Sequence, residues 1–276
     1  MYKTILVHAG ADPSSMAAIQ MAKALGERFE ATLIGVGAVN WDAYLAFTDP
    51  GIAIGSGETL QAMETAVEAE IAEAKVRFHD FCAGYAHGVT WRSRMDDPAR
   101  TMVDLARGAD LIVAARPPKG ADPQRLASPT PLVMESGLPV VIASSNAAET
   151  PIRNILVGWK NTRETRRAIS DAMPLLKLAE RVHVAQICET DAVGSAKAEL
   201  DDVIARLARQ GVKAEGSTSP QVQLAVTDDL LDIAAQQSSD LIVLGAYGHS
   251  RLREWAFGGV TQDLMESAPH TILFSR

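Results

Sequence analysis

Short apolar runs alternate with longer amphipathic stretches along the whole chain. Thr4–His8, Thr32–Val36, Val89–Ser93, Leu111–Ala114 and Val140–Ala143 have the length and bounding residues of strands. Between them, Ser14–Phe29, Glu58–Tyr85, Pro98–Gly108 and Pro129–Ser136 read as helices. The helical period is plainest where Leu60, Met63, Val67, Ile71, Ala74, Phe78 and Phe81 recur on one face. The alternation then starts again. Strands are predicted at Asn154–Trp159, Val182–Ile187, Lys213–Glu215, Leu241–Leu244 and Thr271–Phe274. Helices are predicted at Thr162–Leu178, Gly194–Gln210, Asp228–Gln237 and Val260–Ser267. Strand–helix alternation with apolar strands predicts an α/β fold, its parallel sheets covered by helices on both faces in the doubly wound, Rossmann-like manner.

The restart is a repeat in sequence as well as in pattern. Lys3-Thr4-Ile5-Leu6-Val7 answers Arg153-Asn154-Ile155-Leu156-Val157, and Ala109-Asp110-Leu111-Ile112-Val113 answers Ser239-Asp240-Leu241-Ile242-Val243. Met134-Glu135-Ser136-Gly137 answers Met265-Glu266-Ser267-Ala268. The offsets are 150, 130 and 131 residues, so two homologous domains are expected, 1–145 and 151–276, joined by the polar segment Ser144–Thr150.

One stretch carries chemistry. Leu241–Leu244 is an apolar strand that stops at Gly245; Gly248 stands three residues on, and Gly258-Gly259-Val260-Thr261 opens the last helix. Glycines let backbone N–H groups approach a ligand, and a helix N-terminus adds unsatisfied donors and a positive dipole end. A strand, a glycine loop and a helix in this order suit an anion, a phosphate above all. Glycines at a strand end also serve simple tight turns. The spacing is neither that of a P-loop, since no Gly-Lys-Ser/Thr follows, nor the G-x-G-x-x-G of dinucleotide-binding domains. His249, Arg251 and Arg253 lie inside the loop, suited either to cap a phosphate chain or to a solvated helical turn.

The pattern G-x-x-G, nine residues, G-G-V-T resembles the ATP-binding signature of the universal stress protein family, matched at Gly245, Gly248 and Gly258 and departing at Gly259, where the family has Ser or Thr. The resemblance covers both halves and implies a tandem protein with a five-stranded parallel sheet in each domain. It implies ATP, with Mg, at the ends of the first, second and fourth strands of the second half. The phosphate part would be Gly245, Gly248, Gly258, Gly259, Val260 and Thr261, and the adenine and ribose part Gly158, Trp159, Lys160 and Ile187. Lys160 stands where the family has an acidic residue, and an ammonium cannot accept a hydrogen bond as a carboxylate does. In the first half Ala115, Pro118 and Ala127 replace the three glycines, and Gly10 takes the acidic position. Proline offers no N–H to a phosphate, so that half is not expected to bind ATP in the family manner.

Composition narrows the partners. The chain has 276 residues, 47% hydrophobic and 22% charged, with net charge −8 and pI about 5.3. That balance argues against nucleic acid or an anionic membrane as the main partner. No segment reaches the ~20 apolar residues of a membrane span. Met1-Tyr2-Lys3 leads straight into a strand, and Cys82 and Cys188 read as thiols of a reducing compartment, so a cytoplasmic location is expected. The resemblance further implies pairing of the halves through Val140–Ala143 and Thr271–Phe274 as an internal pseudo-dimer, with homodimers a further option. No catalytic triad, metal-hydrolase motif or paired-carboxylate pattern is present. Three functions therefore stand open: a nucleotide-binding stress-response regulator, an interaction protein whose site is vestigial, and a slow ATPase or phosphotransferase. The long link Ala38–Gly57, with Trp41, Tyr44, Leu45, Phe47 and Ile52, is expected to fold over the vacant first-half site, filling it or lining an apolar pocket for a non-nucleotide ligand, or else to pack on the other domain or a sister chain.

Overall fold

Leu6, Val7, Leu156 and Val157 are fully buried, and the two strands that hold them are the centres about which the chain winds. The structure, a computed structural model, describes residues 1–10, 12–41, 57–118, 120–144, 151–223, 225–246 and 260–276. The first half runs β1 (Thr4–His8), α1 (Ser15–Phe29), β2 (Thr32–Ala38), α2 (Gly57–Phe81), β3 (Val89–Arg94), α3 (Pro98–Leu105), β4 (Leu111–Ala115), α4 (Pro129–Glu135) and β5 (Val140–Ala143). The second runs β6 (Asn154–Gly158), α5 (Arg163–Leu176), β7 (Arg181–Cys188), α6 (Val193–Arg209), β8 (Ala214–Pro220), α7 (Val226–Gln236), β9 (Leu241–Gly245), α8 (Val260–Ser267) and β10 (Thr271–Ser275). No helix among the described residues is long and apolar enough to cross a membrane.

The chain divides into two compact units, Met1–Ser136 and Gly137–Arg276. In the first, the strand order is β3-β2-β1-β4, all parallel. In the second, β10-β9-β6-β7-β8 form five parallel strands, and β5 joins them antiparallel against β10. Each half thus leaves its central strand first to one side and then to the other, the doubly wound arrangement expected from the repeat. The reversal in the second unit falls between β6 and β9, whose carboxyl ends flank the crevice where ligands sit in such sheets.

The repeated Asp-Leu-Ile-Val motif has a structural reason. Asp110 Oδ2 accepts from the backbone N–H of Lys3 and Thr4 at 2.7 and 2.9 Å. Asp240 Oδ2 accepts from Arg153 and Asn154 at 2.9 and 2.8 Å. In both units the carboxylate at the start of the fourth strand ties down the entry to the central strand, fixing their register.

β8 is longer than its apolar pattern predicts. Its sequence Ala-Glu-Gly-Ser-Thr-Ser-Pro carries no hydrophobic alternation because it is an edge strand with no fully buried position. Helix α2 ends at Phe81 rather than Tyr85, because the chain turns through Gly84 at φ +77°. Cys82 is buried and Cys188 half-buried, both as free thiols.

Candidate functional site

At the carboxyl edge of the second unit, Gly158 closes β6, Gly245 closes β9, and Ile187 lies one residue before the end of β7. Gly158 is the register partner of Ala185, and Trp159 N donates to Ala185 O at 2.7 Å, so the sheet holds Trp159 just past its strand. Ala246 N donates to Ser275 O at 2.8 Å, which keeps the chain in the sheet for one residue beyond Gly245. The edge therefore brings Gly158, Trp159, Lys160, Ile187 and Gly245 to one side of the domain.

Both glycines are required by packing. A Cβ on Gly158 would meet Leu244 Cδ2 at 2.4 Å and Leu230 of α7 at 3.4 Å. A Cβ on Gly245 would come within 2.4 Å of Thr165 N and 2.5 Å of Glu164 C, in the first turn of α5. Neighbouring strand ends thus face opposite helix layers, and β9 ends directly beside the N-terminus of α5. Thr162 caps that helix, its Oγ1 accepting from Thr165 N at 3.3 Å.

Glu164 is buried in the same turn, with its carboxylate bound by Arg163. Burial alone pushes such a group up. The Arg163 hydrogen bond, its own backbone N–H, the Arg163 charge and the Thr162 hydroxyl together outweigh burial, and Glu164 titrates below the usual carboxylate range. Lys160 is exposed; only its carbonyl is engaged, by Thr162 N at 2.7 Å. Thr261 is half-buried in the first turn of α8. Gly248, Gly258 and Gly259 lie outside the described residues, as do His249, Arg251 and Arg253.

Among the described residues, Trp159 Nε1 and Gln186 Oε1 at this edge are closed off from solvent and make no hydrogen bond. Leaving a buried donor or acceptor unpaired costs roughly 1–3 kcal/mol, so such a group needs an explanation.

The same edge of the first unit is built differently. His8 stands where Gly158 stands and is 1% exposed. Burial holds its imidazole down to about 4, against the pull of Asp12. A Cβ on Gly10 would meet His8 Cε1 at 2.9 Å and the Arg125 carbonyl at 3.0 Å, so the loop after β4 lies directly over the end of β1. Gln124 O accepts from Asn40 N at 2.9 Å, and Arg125 is held by Glu70 of α2 and by Asp122. Leu126 and Ala127 are buried, and Ala115 is buried at the end of β4. Among the described residues, 122–127 thus covers this edge. Residues 42–56 of the long link, including Tyr44, Leu45, Phe47 and Ile52, lie outside the described residues; of the rest, Val39 is buried and Trp41 half-buried.

The model of the Universal stress protein family matches residues 1–130 and again residues 151–276. The chain belongs to the universal stress protein family. Two family domains in one chain agree with the tandem organisation of the repeat. Among solved structures, a universal stress protein from Archaeoglobus fulgidus DSM 4304 is similar over 99% of this chain and 96% of that one, with TM-score 0.69 and 14% identity. A functionally unknown protein from Pseudomonas aeruginosa PAO1 covers 99% of this chain and 92% of its own, with TM-score 0.60 and 16% identity. At such identities these likenesses speak for the universal stress protein fold. No curated protein matches the chain.

Within that fold, sequence reasoning named Trp159 but missed Gln186 and Glu164. Alternation along β7 carries a signal for Gln186, which shares its face with Val182 and Val184, both buried. A glutamate in the first turn of a helix reads as a solvated dipole partner, so Glu164 leaves no such trace.

Proposed function

We propose that this protein is a universal stress regulatory module that binds one adenine nucleotide per chain, at the carboxyl edge of the second half. The observation that carries the reading is Gly245: it closes β9 at the reversal of strand order and packs that strand end against the N-terminus of α5. Gly158, Trp159, Lys160 and Ile187 supply the base and ribose side of the site, and Gly245, Gly248, Gly258, Gly259, Val260 and Thr261 the phosphate side, with Mg as the ion that accompanies ATP. In the first half, Pro118 and the loop 122–127 occupy the corresponding place, which supports a stoichiometry of one. The reading includes an internal pseudo-dimer of the two halves, supported by a family match to each half and by the pairing of β5 with β10. It also includes a cytoplasmic location and a role in signalling rather than turnover.

Titration of a fluorescent ATP analogue tests it. The wild type is expected to saturate at one equivalent, and Gly248→Pro, which removes a donor from the loop, to take up none. Two equivalents, or equal binding by the variant, would overturn the assignment. Absence of uptake by the wild type would make the protein an interaction module with a vestigial site. Phosphate release at a rate above solution hydrolysis would make it an ATPase.

A further inference from the structure

Trp159 and Gln186 are neighbours in register at the carboxyl edge of β6 and β7. Gly158 pairs with Ala185, Trp159 N donates to Ala185 O, and each side chain belongs to the residue that follows its paired one. Register neighbours in parallel strands project to the same face of the sheet. Trp159 is 7% exposed and Gln186 9%, so both are more than nine-tenths buried. Below them on that face stand Val157 and Val184, both fully buried and unable to hydrogen-bond through their side chains. The indole Nε1–H can only donate, and a carboxamide oxygen can only accept. Neither has a partner among the described residues.

The strand edge therefore carries a donor and an acceptor on register neighbours of one face, in a dry setting, at the base and ribose side of the proposed site. We infer that Trp159 and Gln186 together read the hydrogen-bonding edge of the nucleotide base. This rests on the nucleotide reading above and extends it to base choice. Trp159 Nε1–H donates to a ring nitrogen that accepts, and Gln186 Oε1 accepts from an exocyclic amine next to it. Adenine carries that pair at N1 and the 6-amino group. A purine that lacks the amine leaves Gln186 Oε1 buried and unpaired, and a site built around such groups rejects ligands that cannot satisfy them.

The test compares ATP with purine riboside 5′-triphosphate, which keeps N1 and has hydrogen in place of the 6-amino group, by calorimetric titration of the full chain. The wild type is expected to bind ATP at least about tenfold more tightly, the difference of one satisfied hydrogen bond. Gln186→Leu is expected to bind the two triphosphates alike, since it has no acceptor to satisfy. In parallel, the indole N–H resonance that is missing from Trp159→Phe is expected to move downfield when ATP is added to the wild type. Equal affinity of the wild type for both triphosphates, with ATP binding intact, overturns the inference and leaves the nucleotide reading standing. An unmoved Trp159 resonance at saturating ATP overturns it in the same way, even if Gln186→Leu does not fold. Failure of the wild type to bind either triphosphate overturns both.

Discussion

Gly245 lies against the backbone of Thr165 so closely that a Cβ at that position would stand 2.4 Å from the amide nitrogen. The neighbour is helix backbone, not the far end of a flexible side chain, so the contact cannot be relieved by a rotamer change. Gly245→Ala is therefore expected to force β9 and α5 apart and to destabilise the protein by about 1–3 kcal/mol, the usual cost of overpacking. Thermal unfolding without nucleotide checks this. An unchanged midpoint would mean that the glycine serves the ligand alone.

That relationship also marks what could be read in advance. The limits of β1, β5 and α8 followed from the apolar pattern to the residue, because each is bounded by polar or turn-forming positions. β8 did not, because an edge strand of Ser, Thr and Gly has no buried face to impose a period. The apolar run and the glycine after it placed a strand end at Gly245, where β9 ends. The spacing alone could not show that Gly158 and Gly245 answer to Leu244 and to α5, since those contacts form only when the helices pack. Glu164 was hidden for the same reason, its burial being created by packing rather than by neighbours in sequence, whereas Gln186 left a trace in the alternation along β7. In the first half, the loss of glycines at Ala115, Pro118 and Ala127 was legible, but the residues that take the space, Gln124 to Ala127, were not.

Glu164 should make the stability of the second unit depend on acid pH. Its folded-state titration lies below the usual carboxylate range, so the native state favours the ionised form more than the unfolded chain does. The stabilisation is complete above the ordinary carboxylate range and is lost as pH falls through the lowered folded value. Glu164→Gln is expected to cost on the order of 1 kcal/mol at neutral pH, discounted because Arg163 is largely exposed. The difference should shrink as the pH drops below the carboxylate range. Urea unfolding of both proteins across that range tests it, and a constant difference at every pH would refute the electrostatic account.

His8 works in the opposite chemical sense at a higher pH. Its folded value is about 4 against an ordinary 6.5, because burial disfavours the imidazolium more than Asp12 favours it. Between those values the unfolded chain binds a proton that the native state refuses, so stability falls as pH drops from about 6.5 to 4, by up to about 3 kcal/mol. His8→Gln, which cannot titrate, is expected to flatten that part of the stability profile whatever its effect at pH 7. A wild-type slope that persists in the variant would assign the acid sensitivity to other groups.

The pairing of β5 with β10 leads to the last prediction. Ile142, Val141 and Val140 face Ile272, Leu273 and Phe274 in antiparallel register, and all six are fully buried. Ser144 N adds a bond to Thr271 Oγ1 at 3.3 Å. Although β5 ends the first sequence repeat, it belongs to the second compact unit, which begins at Gly137. A fragment cut at the repeat boundary, 151–276, leaves the apolar edge of β10 unpaired, and such an edge recruits other chains. A fragment 137–276 retains the covering strand. The longer fragment is expected to unfold at a higher temperature than the shorter one and to associate at a higher concentration than the shorter one does. Light scattering and thermal unfolding on the two separate the outcomes. A shorter fragment that stays monomeric and equally stable would show that β10 does not depend on β5.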